Sequence, residues 1–263
     1  MILRESLHRS GDYLDIDIFP CKVVAFGRSQ KLNLTSETQR KLNERNTKRR
    51  LTWIIQENFT QNDVFLTLYY PENRYIFPEQ GKKDLENFLR RVRYAFNKRG
   101  LEFKYVSKTE IGKKNKRVHH HIVCSGDLGR DFLEQQWDKK TGGYSQTRYI
   151  EFYENGVEGL SAYICKDNTL AYRSYNCSKN LKRPEAEKHD GRIQIKQLQA
   201  LRRDIYNAKV FEDMYPGYRF VSADPFYNEY FIDTNGEVNK VELPYITIKM
   251  YRKDSTYIRR GFR

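Results

Sequence analysis

The sequence predicts an α+β fold: a central antiparallel sheet flanked by helices, with a β-rich C-terminal appendage. Three observations predict it. LEFKYVSKTE (101–110) and VHHHIVCS (118–125) are strand-length runs separated by a few turn-forming residues around GKKNKR, too short a connection for the crossover that parallel strands need. DLENFLRRVRYAFNKRG (84–100) carries Leu85, Phe88, Leu89, Val92, Ala95 and Phe96 at helical spacing, with Gly100 placed as a C-cap. After Tyr218, the runs FVSAD, EYFID and PYITIKMYR read as strands, and DTNGE (233–237) supplies a hairpin turn.

Taken in order, residues 10–28 read as short strands, with DYLDIDIF and KVVAF as the apolar runs. In SETQRKLNERNTKRRLTWIIQENF, Ser36 with Gln39 fits a capping box and starts a helix. Its first half is polar and basic (Arg40, Lys41, Arg45, Lys48, Arg49, Arg50), and Leu51 to Phe59 is apolar enough to dock. The basic half is either a solvated face or an arm that contacts phosphates. VFLTLYY (64–70) is a strand and PENRYIFP a loop with proline at both ends. The helix over 84–100 sets Arg90, Arg91, Arg93 and Lys98 opposite its apolar stripe. Residues 130–138 read as a short helix, RYIEFY (148–153) as a strand and 157–167 as a helix. These elements divide into N-terminal strands and a basic helix (1–60), a core (61–190), and a C-terminal helix with the β-rich appendage (191–263).

The bulk numbers limit the function classes. A chain with 38% hydrophobic and 14% aromatic residues carries enough apolar mass for a sizeable core. The net charge of +14 favours a polyanionic partner. Cys21, Cys124, Cys165 and Cys177 include no C-x-x-C pair, which argues against a zinc knuckle and suits reduced thiols in a bacterial cytoplasm. The N-terminus has no apolar signal core, and no run approaches the roughly 20 apolar residues of a membrane span. GKKD and GKKN lack the spacing and hydroxyl of a Walker A loop, so no helicase of its own is expected.

Three of the 5 histidines are consecutive, at 119–121 inside an otherwise apolar strand. Strand alternation points His119 and His121 the same way, about 7 Å apart, and His120 the other way. Two imidazoles on one face can share a divalent ion, and Glu110 on the preceding strand offers a third, carboxylate ligand. Chance, or a phosphate-binding patch, is the plainer explanation. In GLSAYICKD (159–167), Tyr163 and Lys166 are three residues apart and therefore neighbours on a helix. The ammonium would favour the phenolate or hold a phosphate. One tyrosine among 20 is a weak signal alone.

VFLTLYY, VHHHIV and LSAYICK, in that order, resemble the three motifs of the HUH endonucleases, specifically rolling-circle replication initiators of phages, plasmids and integrative elements. The resemblance covers roughly residues 35–190 and includes KLNERNTKRRLTWIIQENFTQND before the first motif and YNCSKNLKRPE after the third. It implies an antiparallel sheet with the histidines on a middle strand. It implies that His119, His121 and Glu110 hold Mg²⁺ or Mn²⁺, and that Tyr163, assisted by Lys166, attacks a phosphate to leave a 5′-phosphotyrosine and a free 3′-OH. The partners it implies are single-stranded or unwound origin DNA, a host helicase and a host polymerase. Arg90, Arg91, Arg93, Arg49 and Arg50 are the candidate phosphate contacts. The chain departs from the pattern in having histidine between the two outer histidines, and Gly159 where a second tyrosine would stand. Tyr172 and Tyr175 are the alternative second nucleophiles. A tyrosine transposase of the same superfamily, a non-catalytic DNA- or RNA-binding protein and a metal-dependent hydrolase are the competing readings.

Overall fold

A computed structural model describes residues 2–22, 36–112, 116–153, 157–166, 175–234 and 237–255, with the backbone alone at 22, 36–39 and 228–241. The elements run β1 (Ile2–Ser10), β2 (Tyr13–Lys22), α1 (Ser36–Asn58), β3 (Val64–Tyr69), α2 (Pro78–Asn97), β4 (Tyr105–Ile111), β5 (Val118–Cys124), α3 (Arg130–Thr141) and β6 (Tyr144–Tyr149). They continue with α4 (Glu158–Cys165), β7 (Asn176–Cys177), β8 (Ala186–Asp190), α5 (Ile195–Arg203), α6 (Ala208–Met214), β9 (Tyr218–Thr234) and β10 (Glu237–Arg252). The fold is α+β, with two antiparallel five-stranded sheets among the described residues. Two compact units divide the chain: residues 1–45, 153–156 and 183–263, and residues 46–152 and 157–182. None of the described helices is long and apolar enough to cross a membrane.

The first unit contains the sheet β8-β1-β2-β10-β9. Leu14, Ile16 and Ile18 of β2 alternate with polar residues and pack with Ile246, Ile248 and Met250 of β10 against Leu198, Leu201 and Phe211 of α5 and α6. The first strands thus pair with the last, and β1, absent from the sequence expectation, pairs with β2 along its whole length. FVSAD and EYFID belong to one continuous strand, β9, which pairs with β10 from Tyr218 to Thr234. The turn residues 235–236 and most of KVVAF (23–26) lie outside the described residues.

The second unit contains the sheet β6-β3-β5-β4-β7. One face, with Val64, Leu66, Leu68, Val118, Ile122 and Cys124, is covered by α2 and α3 through Leu85, Phe88, Leu89, Val92, Phe96, Leu133 and Trp137. Each such large apolar side chain contributes about 1.5–3 kcal/mol on full burial. Gly81 lets α2 approach β5: a Cβ there would meet Val118 Cγ1 at 2.8 Å. Two strand boundaries differ from the sequence reading. β4 begins at Tyr105, because Leu101 and Phe103 pack onto the core as a loop beyond the C-terminal end of α2. β6 spans Tyr144–Tyr149, not 148–153, because Ile150 and Phe152 are buried outside the ladder. The connection between β4 and β5 includes residues 113–115, outside the described set.

Candidate metal centre and tyrosine

The register of the second sheet places three rows of side chains on the face opposite α2 and α3. Glu110, His119, Tyr69 and Tyr144 are successive cross-strand partners in the first row. Lys108, His121, Thr67 and Gln146 form the second, and Val106, Val123, Phe65 and Arg148 the third. Direct partners on one face lie within side-chain reach, so the antiparallel ladder assembles the site from four strands.

The first two rows converge. His119 Nε2 is 2.9 Å from Glu110 Oε1, and His121 Nε2 is 3.4 Å from the same oxygen. The two imidazole centroids are 4.9 Å apart and nearly perpendicular, closer than the roughly 7 Å that strand rise alone sets between their backbones. One donor atom from each of Glu110, His119 and His121 lies within 4.8 Å of the other two, making a group able to hold a metal ion. Burial pushes the Glu110 carboxyl up, but hydrogen bonds and charge from His119 and His121 outweigh it and hold the group well below the usual carboxylate range. Burial pushes His121 down against the pull of Glu110.

The chemistry of the donor set fits a cation. His121 Nε2 is buried and lies 3.4 Å from the carboxylate, yet lacks the alignment of a hydrogen bond. Its Nδ1 faces Thr67 Oγ1 at 3.2 Å. With Nδ1–H donating to Thr67, the Nε2 lone pair points into the group, the arrangement that orients metal-bound imidazoles. His119 Nδ1 faces the Arg117 carbonyl at 3.3 Å. A carbonyl only accepts, so Nδ1 carries the proton, and Nε2 of the neutral ring also presents its lone pair towards the carboxylate.

Tyr163 lies on α4 and is 45% exposed. Its ring stands edge-on to His121, centroids 4.9 Å apart, and edge-on to Phe65 at 6.0 Å. Burial and the Glu110 charge raise its pKa, opposed by Arg148. Arg148 lies over the Phe65 ring at 5.0 Å. Lys166 follows the last residue of α4 with an extended backbone (φ −67, ψ 131) and is exposed, so it does not share a helical turn with Tyr163. Its carbonyl accepts a hydrogen bond from Lys108 Nζ, which is also 3.4 Å from Glu110 Oε2. Lys108 is therefore the ammonium built into the group. Alternation in β4 placed it on Glu110's face, but only the register showed it opposite His121. Thr67, Tyr69 and Arg148 were equally silent in the sequence.

His120 faces the other way and is fully buried. Its Nε2 is 3.2 Å from the Tyr70 hydroxyl, which donates to Asp84 Oδ2, and its Nδ1 is 2.8 Å from Thr109 Oγ1. Burial pushes it down to about 3, so the ring is neutral. Of the proposed phosphate contacts, Arg90, Arg91 and Arg93 lie on α2, on the sheet face away from the histidine pair. Arg91 donates to the Gln136 carbonyl of α3 at 2.7 Å, Arg93 lies 5.7 Å over the Tyr105 ring, and Arg90 bonds Asn87. Arg49 lies over the Trp53 ring at 5.3 Å and Arg50 is exposed. Tyr175 is partly buried, and Tyr172 falls outside the described residues.

Residues 63–168, from the threshold of β3 past the end of α4, match a family of replication-associated proteins of the ORF2 type. The match supports a relationship to replication initiators. No curated protein and no solved structure matches the chain.

Proposed function

We propose that this protein initiates rolling-circle replication by nicking single-stranded origin DNA with Tyr163 in a metal-dependent transesterification. The observation that carries the reading is an exposed tyrosine set edge-on to one histidine of a His-His-Glu group, within the stretch that matches a replication-associated family. His119, His121 and Glu110 would hold Mg²⁺ or Mn²⁺, which when bound supplies Lewis acidity to the scissile phosphate. Tyr163 Oη attacks phosphorus and gives up its proton as the new O–P bond forms. The bond from phosphorus to the 3′ oxygen breaks, and that oxygen leaves as the 3′-hydroxyl with a proton. The 5′-phosphotyrosine preserves one phosphoester for another, so reversal with a 3′-hydroxyl religates the strand. Since Tyr163 is held in its phenol form by burial and by Glu110, deprotonation belongs to the attack and not to the resting state. Thr67 and the Arg117 carbonyl orient the imidazoles, and Lys108 balances Glu110. Lys166, exposed beside the site, contacts a phosphate. The free 3′-OH is extended by a host polymerase behind a host helicase.

The test uses labelled single-stranded DNA covering the protein's own gene and flanks, incubated with and without Mn²⁺ and run on a denaturing protein gel. A metal-dependent labelled protein band, lost in Tyr163→Phe while DNA binding persists, is expected. Cleavage by Tyr163→Phe, or no adduct on any fragment, overturns the reading.

A further inference from the structure

The site-side face of β6 is not used by the chemistry above. β6 is an edge strand among the described residues, pairing with β3 alone. Its alternate residues Tyr144, Gln146 and Arg148 are exposed and stand on the face of the metal group. Two residues of strand rise separate each from the next, about 7 Å. A ring, an amide and a guanidinium therefore follow one another along the open margin of the site.

The ring end is organised. Tyr144 is 46% exposed and stacks on Tyr69, centroids 4.8 Å apart and planes 18° apart. Tyr69 in turn stacks on His119, at 5.9 Å and 18°. The three rings form one near-parallel ladder running outwards from the metal group across β5, β3 and β6. Tyr69 covers the inner face of Tyr144, and no further strand lies beyond β6 among the described residues. Arg148, at the other end, is close enough to Tyr163 to act on its hydroxyl, which fixes the side from which a phosphate approaches.

We infer that Tyr144 is a nucleobase subsite: the outer face of its ring stacks a base of the bound single strand a nucleotide or two from the scissile phosphate, while Arg148 holds the intervening backbone. The inference rests on the reading of Tyr163 as a DNA nucleophile. A flat π surface with no hydrogen-bonding groups beside it selects for a base of any identity, as stacking platforms for single strands do. Gln146 is the one polar side chain on this face of β6 placed to add base preference. The ladder gives the platform a second property. Because Tyr69 also stacks on His119, a base on Tyr144 extends a rigid stack that ends on a metal ligand, so seating the base and registering the phosphate on the metal group are one event.

Binding of fluorescent oligothymidylate is measured in EDTA, across a salt series, for the wild type, Tyr144→Ala, Tyr144→Phe and Arg148→Ala. Tyr144→Ala is expected to bind about 5- to 150-fold more weakly, the range for one base–aromatic stack, with an unchanged salt slope, because no phosphate contact is lost. Tyr144→Phe restores binding, since the phenyl ring keeps the π face. Arg148→Ala lowers the slope of log K against log salt by about one. In parallel, adduct formation by wild-type protein on origin DNA is scored with Mn²⁺. Equal binding by wild type and Tyr144→Ala, with the adduct still formed, overturns the subsite and leaves the nuclease reading standing. A stacking signature without any adduct overturns the nuclease reading instead. A fall in salt slope for Tyr144→Ala assigns its loss to backbone contacts and overturns the inference too.

Discussion

On one face of the second sheet, His120 is enclosed beside Tyr70 and Trp137, with both ring nitrogens bonded within the protein. On the other face, one residue to either side in sequence, His119 and His121 converge on a carboxylate, and one buried nitrogen has no aligned partner. The three residues are chemically identical and share a strand. Their environments differ because a strand sends neighbours to opposite faces, and because α2 and α3 fill one face with apolar mass while the other receives Glu110, Lys108 and Tyr163. A buried imidazole satisfied by a hydroxyl at each nitrogen is structural. An imidazole whose inner nitrogen is oriented by a hydroxyl and whose outer nitrogen points at an anion is a ligand in waiting.

Substitutions that separate the two faces test this contrast. The largest effect is expected from Tyr163→Phe, which removes the nucleophilic oxygen: covalent adduct on a denaturing gel should vanish while filter binding of single-stranded DNA persists. His121→Ala comes next. Calorimetric titration with Mn²⁺ should find no binding, and an unchanged isotherm would remove His121 from the ligand set. Thr67→Val keeps the shape of the side chain but deletes the hydroxyl that fixes the His121 tautomer, so Mn²⁺ affinity should fall about 10–100-fold. Unaltered affinity would show that Thr67 orients nothing.

The opposite face should respond in stability. His120→Leu leaves the Thr109 hydroxyl without its buried partner, and urea unfolding should report a loss of about 1–3 kcal/mol. The folded variant should keep its Mn²⁺ affinity; if it loses metal and keeps stability, the division between the two faces is wrong. Gly81→Ala, whose new methyl would press on Val118 Cγ1, should cost a similar or smaller amount, about 1–3 kcal/mol. Its metal binding should be intact in the same titration.

The parts of this site that the sequence made legible are those set by local periodicity. Period-two alternation assigned His119 and His121 to one face and His120 to the other. A short connection between β4 and β5 made Glu110 the natural partner of His119, and the two are direct cross-strand neighbours. Period 3.6 identified the buried stripe of α2. Each follows from geometry within a few residues of chain. The tertiary structure alone decided the rest. It put Lys108 opposite His121 and took Lys166 past the end of α4. It set Arg90, Arg91 and Arg93 on the face away from the histidine pair. It aligned Tyr144, Tyr69 and His119 into one stack, and paired the first two strands with the last. These outcomes depend on the register between segments far apart in the chain. A one-residue slip of β3 or β6 would turn Thr67, Tyr69 and Tyr144 to the other face, and no local pattern specifies that register. What holds it is the packing of Leu66, Leu68 and Ile122 under α2 and α3, a property of the assembled core and not of any one segment.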